Sequence, residues 1–213
     1  SDYFLFIIIG ISISDMSYTV CNSISAQIEE YKRSGVLEEI VVINNNLLII
    51  ISSSIYPMLF GLIKFFVYIF FGYIFFDVTF QGMSSMINII MVFIFLLLSL
   101  IGIGLIAASF SLLFYKGSII TTLHLAMASI FGGIYYPITV LPENLQILSN
   151  FIPIYPALEL IRSNLLITDI AEEKAFFLLF LLLFLNIVYF SLGLLFMKIS
   201  IYFSKINGNL LYY

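Results

Sequence analysis

Charge is the scarcest property of this sequence. Only 9% of its 213 residues are Asp, Glu, Lys or Arg, and 62% are hydrophobic. Soluble domains carry about 25% charged and about 45–50% apolar residues. Twelve acids and eight bases therefore leave most of a water-facing globule uncoated, which excludes a soluble enzyme, a nucleic-acid binder and a disordered tail. The net charge of −4 comes without a basic cluster, so neither nucleic acid nor a polybasic lipid anchor is expected. The single cysteine, Cys21, rules out an internal disulfide and any zinc site built on paired thiols. No G-x-x-x-x-G-K-[ST] loop is present, so no phosphate cradle of that type exists in the chain. With one histidine, no H-E-x-x-H and no paired carboxylates within an apolar run, an intramembrane enzyme fails on inventory. The first residues have no basic n-region and no small-residue cleavage site, so Tyr3–Ile13 does not read as a signal peptide. A start at Ser1 rather than Met leads us to expect the middle of a longer protein.

What is present is apolar length. Mean hydropathy is +1.17, and a helical span needs about 20 apolar residues to cross about 30 Å of hydrocarbon. Five blocks meet or approach that: about 3–20, 47–76, 85–115, 118–136 and 175–203. They are too long for strands and lack the period-two alternation of membrane barrels. The expected fold is all-α, a polytopic helical bundle of about five spans in one domain. Between the first two blocks runs a polar stretch, 22–46, that is too long for an ordinary helix connection. It reads as a helix lying on the membrane surface or docking onto a partner, with a break at Gly35 between a helix ending near Arg33 and another starting near Val36. Between the last two blocks, residues 137–173 read as a hairpin dipping into the outer leaflet. Pro137 is expected to end or kink the fourth span, Pro142 to open a short helix over 143–151, and Pro153 and Pro156 to separate it from a second helix over 157–166. Glu159 and Arg162, three apart on one face, are expected to form a structural pair. Lys32, Arg33, Lys116, Lys198 and Lys205 fall on one side, and Asp77, Glu143, Glu159, Asp169, Glu172 and Glu173 collect on the other. The positive-inside rule makes the first side, and the C-terminus, cytoplasmic.

Ionisable groups within the blocks call for a reason, since they cost roughly 2.5–3.5 kcal/mol at a helix centre on insertion scales. Asp15 would line a protomer interface or polar path, or else face water at a loosely inserted end. Lys64 would snorkel to the cytoplasmic face or serve a pathway. A pair between them requires matching depths, and a difference of a turn or more is expected. His124 is expected to hydrogen-bond a neighbouring helix rather than bind metal, and Gly102, Gly104, Gly132 and Gly133 to permit close helix approach.

Three stretches, in order, carry a resemblance. Phe131-Gly132-Gly133-Ile134-Tyr135-Tyr136-Pro137-Ile138-Thr139-Val140-Leu141-Pro142, with Leu145-Gln146, Pro153, Leu158 and Arg162 following, resembles the extracellular re-entrant hairpin of ABC transporter type-2 permeases. Glu30 and then Gly35-Val36-Leu37-Glu38-Glu39-Ile40 resembles their cytoplasmic coupling segment. Gly102-Ile103-Gly104-Leu105-Ile106-Ala107-Ala108-Ser109-Phe110, ending at Lys116-Gly117, resembles their third-from-last span and its turn. The family pattern departs at Val36 (usually Thr), Asn44 (often Pro) and Tyr155 (usually Thr). The complete family fold has six spans after an amphipathic helix, so the resemblance implies that this helix and the first span would precede Ser1.

What the resemblance implies is the membrane subunit of an ATP-driven exporter in a prokaryotic cytoplasmic membrane. It would work as a homodimer or heterodimer, coupled to separate ATPase subunits that hold the ATP and Mg²⁺, with no cofactor in this chain. Coupling would fall to Glu30, Arg33, Gly35, Leu37, Glu38 and Glu39, and the hairpin to Gly133, Pro137, Leu141, Pro142, Pro153 and Arg162. Asp15, Lys64 and His124 would lie on the pathway or interface. An ATP-independent channel or transporter, and a non-transporting structural subunit, stay open as alternatives, and the cargo is not readable.

Overall fold

The computed structural model describes residues 2–42, 46–53, 55–76, 83–114, 116–165 and 171–207, and among these it contains helices and no strand. The first helix, α1 (Asp2–Arg33), runs 32 residues without interruption. Leu5, Ile9, Ile13, Met16, Val20, Ile24 and Ile28 recur every three or four residues and are all buried, one continuous stripe of helical period. The serines that weaken its hydropathy are satisfied locally. Ser12, Ser17 and Ser23 donate to the carbonyls of Ile9, Ile13 and Val20, which lets them sit inside an apolar helix without a stranded hydroxyl.

This corrects the expectation for the polar stretch. Residues 22–33 are not a separate surface helix but the end of α1. No Gly or Pro lies between Gly10 and Gly35 to break the helix, and at about 1.5 Å per residue it reaches about 48 Å, well beyond the hydrocarbon. The break at Gly35 is where the sequence places it. Gly35 has φ +74, the left-handed cap that ends a helix at low cost only for glycine, and Ser34 N–H donates to Glu30 O at 2.9 Å. A short helix, α2 (Leu37–Val42), follows, then α3 (Asn46–Ser53) and α4 (Ile55–Phe76). Asn44, Asp77 and Asp169 lie outside the described residues.

The central element is α5 (Met83–Phe114), which packs against α1 on one side and the long last helix, α9 (Glu172–Asn207), on the other. Glycines set both crossings. A Cβ on Gly102 would stand 2.5 Å from the carbonyl carbon of Tyr189, and one on Gly193 would collide with Gly102 O. A Cβ on Gly104 would stand 3.1 Å from Cys21 O. In lipid, where no hydrophobic drive brings helices together, such close backbone approach supplies the packing energy. By contrast α4 packs mainly on α1 and turns Phe60, Phe66, Phe70, Phe71 and Phe75 outward.

After α5 come α6 (Ser118–Phe131), a 3-10 turn over Ile138–Val140, α7 (Glu143–Ser149) and α8 (Ile154–Leu165). Three boundaries differ from expectation. α6 stops at Phe131, before Pro137, because Gly132 caps it and Gly133 turns to φ +73. α7 ends at Ser149. α8 starts at Ile154 and takes Pro156 into its first turn, where the missing N–H has no helical partner to lose. Among the described residues three helices are long and apolar enough to cross a membrane, and Met58–Gly72 and Ser118–Phe131 are shorter apolar stretches. They stand in the five places where spans are expected.

Candidate functional site

Two polar clusters lie at opposite ends of the bundle, and each is organised by a buried cation. The first is at the Gly35 end. Lys32 is 2% exposed, and its Nζ donates to Ser111 O at 2.8 Å and Leu112 O at 2.7 Å. These carbonyls belong to the last turn of α5, which has no helical donors left for them, and a cation there also meets the negative end of the helix dipole. Ser111 Oγ donates to Glu29 Oε1 at 3.0 Å and accepts from Gly117 N–H at 3.0 Å. Thr121 Oγ1 reaches Asn22 Oδ1 at 3.4 Å, and Ser200 Oγ donates to Ser109 O at 3.2 Å. The end of α1 is thereby tied to α5, to the α5–α6 turn and to the start of α6, while α5 is tied to α9.

Around this cluster, Glu30, Arg33, Gly35, Val36 and Glu39 are exposed and Glu38 is half-buried. Leu37 is fully buried, with Val41 and Ile40 beside it in the core. The expected coupling residues therefore divide. Leu37 holds α2 against the bundle, and the others offer an outward surface that mixes both charge signs.

The second cluster is at the α6–α8 end. Arg162 is 4% exposed. Its Nη1 donates to Gly133 O at 2.6 Å, and its Nη2 donates to Ile134 O at 3.0 Å and Phe6 O at 2.8 Å. The guanidinium carbon lies 3.4 Å from the centroid of the Phe6 ring, a cation–π contact. Burial pushes its pKa down to about 10, against a raising effect from Glu159, so it stays charged at neutral pH. Gly10 makes the site possible, since a Cβ there would collide with Ile134 O and come within 2.8 Å of Nη2. The expected Glu159–Arg162 pair is corrected: Glu159 pairs with Lys174 at 3.6 Å, and the Arg162 Nη1 and Nη2 donate to backbone while its buried Nε has no partner among the described residues. Among the other hairpin residues, Pro153 is buried and Pro137 and Pro142 are exposed. Leu141 O accepts from Gln146 Nε2 at 2.8 Å, and Pro142 caps α7. Tyr189, in the middle of α9, donates to Phe151 O at 2.8 Å, so the α7–α8 turn sits level with the centre of that helix.

Asp15 and Lys64 do meet, at 3.4 Å, with side chains 32% and 40% exposed. The expected mismatch of depth is wrong because α1 and α4 run antiparallel past a close contact of Gly61 on Thr19, which brings the two levels together. His124 departs from its expectation too: its Nε2 is shielded and has no hydrogen-bond partner among the described residues. Three contributors carry no signal in the sequence. Lys32 reads there as one more interfacial base, Phe6 as lipid-facing filler, and Gly10 has no neighbouring motif.

A family model described as ABC-2 type transporter matches residues 2–166, most of the chain, with Lys32, Phe6 and Arg162 inside the match. The chain belongs to that family. A search of curated proteins returns no match.

Proposed function

We propose that this ABC-2 type permease is the membrane subunit of an ATP-driven exporter, paired with a second permease and docked through the Gly35 end onto separate ATPase subunits. That end is then cytoplasmic, as is the C-terminus, and α7 and α8 form a hairpin entering the outer leaflet. ATP and Mg²⁺ belong to the partner. The observation that carries the reading is the Lys32 cluster. A surface of Glu30 and Arg33 on α1, Val36 in the turn and Glu39 on α2 lies where the last turn of α1 is fastened to the end of α5. Force applied there moves α1, α5 and the start of α6 as one body, which is what coupling ATP hydrolysis to the spans demands.

The test is co-purification of the full-length permease with an ABC ATPase encoded beside its gene. Leu37 is a poor probe, since a charge there unfolds α2. Arg33→Glu combined with Glu39→Arg changes the exposed surface alone. We expect a stoichiometric complex with the parent and its loss with the double variant at unchanged thermal unfolding. An ATPase that stays bound to the variant, or that never joins a folded parent, overturns the docking assignment.

A further inference from the structure

The uncovered face of α1 changes character halfway along the helix. Asp15 lies near the middle of α1 and Lys64 near the middle of α4. At about 1.5 Å per residue Asp15 stands about 13 Å from Phe6 and about 25 Å from Lys32, inside the hydrocarbon. Yet the two side chains are 32% and 40% exposed. Lys64 Nζ stays at the carboxylate rather than reaching for a membrane surface, and beyond Asp15 it meets the Phe60 ring at 5.6 Å from the centroid. Donors on the ammonium and acceptors on the carboxylate are thus left for other groups. Toward Gly35 the same stripe continues through Tyr18, Asn22, Ala26 and Glu29, each at least partly exposed and all but one polar. In the other direction it runs through Ile11, Ile8 and Phe4, which are wholly apolar. The outward faces of α4 and α9, with Phe66 and Phe70 or Phe180 and Phe184, show what contact with lipid calls for. Ionisable groups at this depth face protein or a water-filled cavity. A docked protein has no use for polarity confined to one half of the stripe, whereas water entering from one end accounts for both halves.

We propose that the α1–α4 face holds a water-filled inlet, open at the Gly35 end and ending at Asp15–Lys64, where a water-borne molecule with an ionic group is held. An acidic group meets the Lys64 ammonium and a basic one meets the Asp15 carboxylate, each standing in for the other member of the pair. Past that level the stripe offers an ion nothing. That this molecule is the exporter's cargo rests on the reading above. The inlet itself does not, and its test needs no ATPase.

The test is modification of single introduced cysteines by an anionic and a cationic methanethiosulfonate, with the full-length permease in lipid nanodiscs. Sites are read by mass spectrometry, with the buried Cys21 as the blank. Tyr18, Ala26, Ile11 and Phe66 are all exposed, so rates at these positions compare surroundings rather than burial. We expect Tyr18→Cys and Ala26→Cys to react at least about tenfold faster than Ile11→Cys and Phe66→Cys, because the reactive thiolate forms only where water reaches. On the Tyr18→Cys background, Asp15→Asn should favour the anionic over the cationic reagent by about two- to threefold, and Lys64→Gln should do the reverse. Slow reaction at all four positions, reaction at Ile11→Cys as fast as at Tyr18→Cys, or Tyr18→Cys cross-links between two chains in place of modification overturns the inlet. A reagent ratio that neither charge variant moves overturns the ionic site. Should one charge variant fail to fold, the other decides.

Discussion

Lys32 and Arg162 solve the same problem at opposite ends of the bundle, and they solve it differently. Each brings a buried cation to backbone carbonyls of other segments. At Lys32 the two acceptors are consecutive residues in the last turn of one helix, so their arrangement is a property of any α-helix end, and a flexible point charge suffices. At Arg162 the acceptors come from Gly133, Ile134 and Phe6, two segments far apart in sequence whose geometry exists only in the finished fold. That calls for a planar fork with fixed donor directions. The lesson is that a buried base can lock either a helix terminus or a tertiary junction. The number of separate segments it touches says which.

Arg162→Leu is expected to have the largest effect. It strands the carbonyls of Gly133 and Ile134 and removes a second bond to Phe6 O, and with charged hydrogen bonds worth about 1.5–3 kcal/mol each the loss should reach roughly 3 kcal/mol or more. Arg162→Lys should recover less than half of it, read as thermal unfolding in detergent. Full rescue by lysine would erase the contrast with Lys32. Next is the α5–α9 crossing, which holds the same bundle with no charge at all. Gly193→Leu must push Gly102 away and is expected to cost about 1–3 kcal/mol, with cysteine cross-links between α5 and α9 lost. Lys32→Met should cost roughly 1–2 kcal/mol and Lys32→Arg far less, measured in the same unfolding assay; a Lys32→Met loss as large as that of Arg162→Leu would make the two ends equivalent. The smallest effect belongs to the exposed pair. A double-mutant cycle on Asp15→Asn and Lys64→Gln should give a coupling of about 1 kcal/mol or less. A coupling of several kcal/mol would show that water does not reach that level.

The contrast also sorts what was legible in the sequence. The Gly35 break and the order of the hairpin prolines follow from local chemistry, a positive φ and a missing N–H, whereas Arg162 stands out through the family resemblance, with the wrong partner expected for it. The helix end at Gly132 rather than Pro137 was legible in principle, since two glycines precede the proline, but proline's hard veto outweighed glycine's permissive one. What stayed hidden was relational. The burial of Glu29 and Lys32 at the end of α1 depends on those residues meeting α5. The Asp15–Lys64 match depends on how far α4 slides along α1. Gly10 is informative only once Ile134 and Arg162 lie against it. His124 could be singled out as unusual, but nothing local says that its Nε2 finds no partner among the described residues.

The Arg162 junction also has a history within each molecule. Phe6 and Arg162 are separated by 156 positions, so at synthesis rates of about 5–20 residues per second the start of α1 waits roughly 10–30 s for the side chain that will hold it. The carbonyls of Gly133 and Ile134 wait through the making of the whole α7–α8 hairpin. Until then the newborn chain has nothing to join these segments at this end. For a protein inserted into a membrane as it is made, a late act of assembly is thus written into one arginine, arriving after almost everything it fastens.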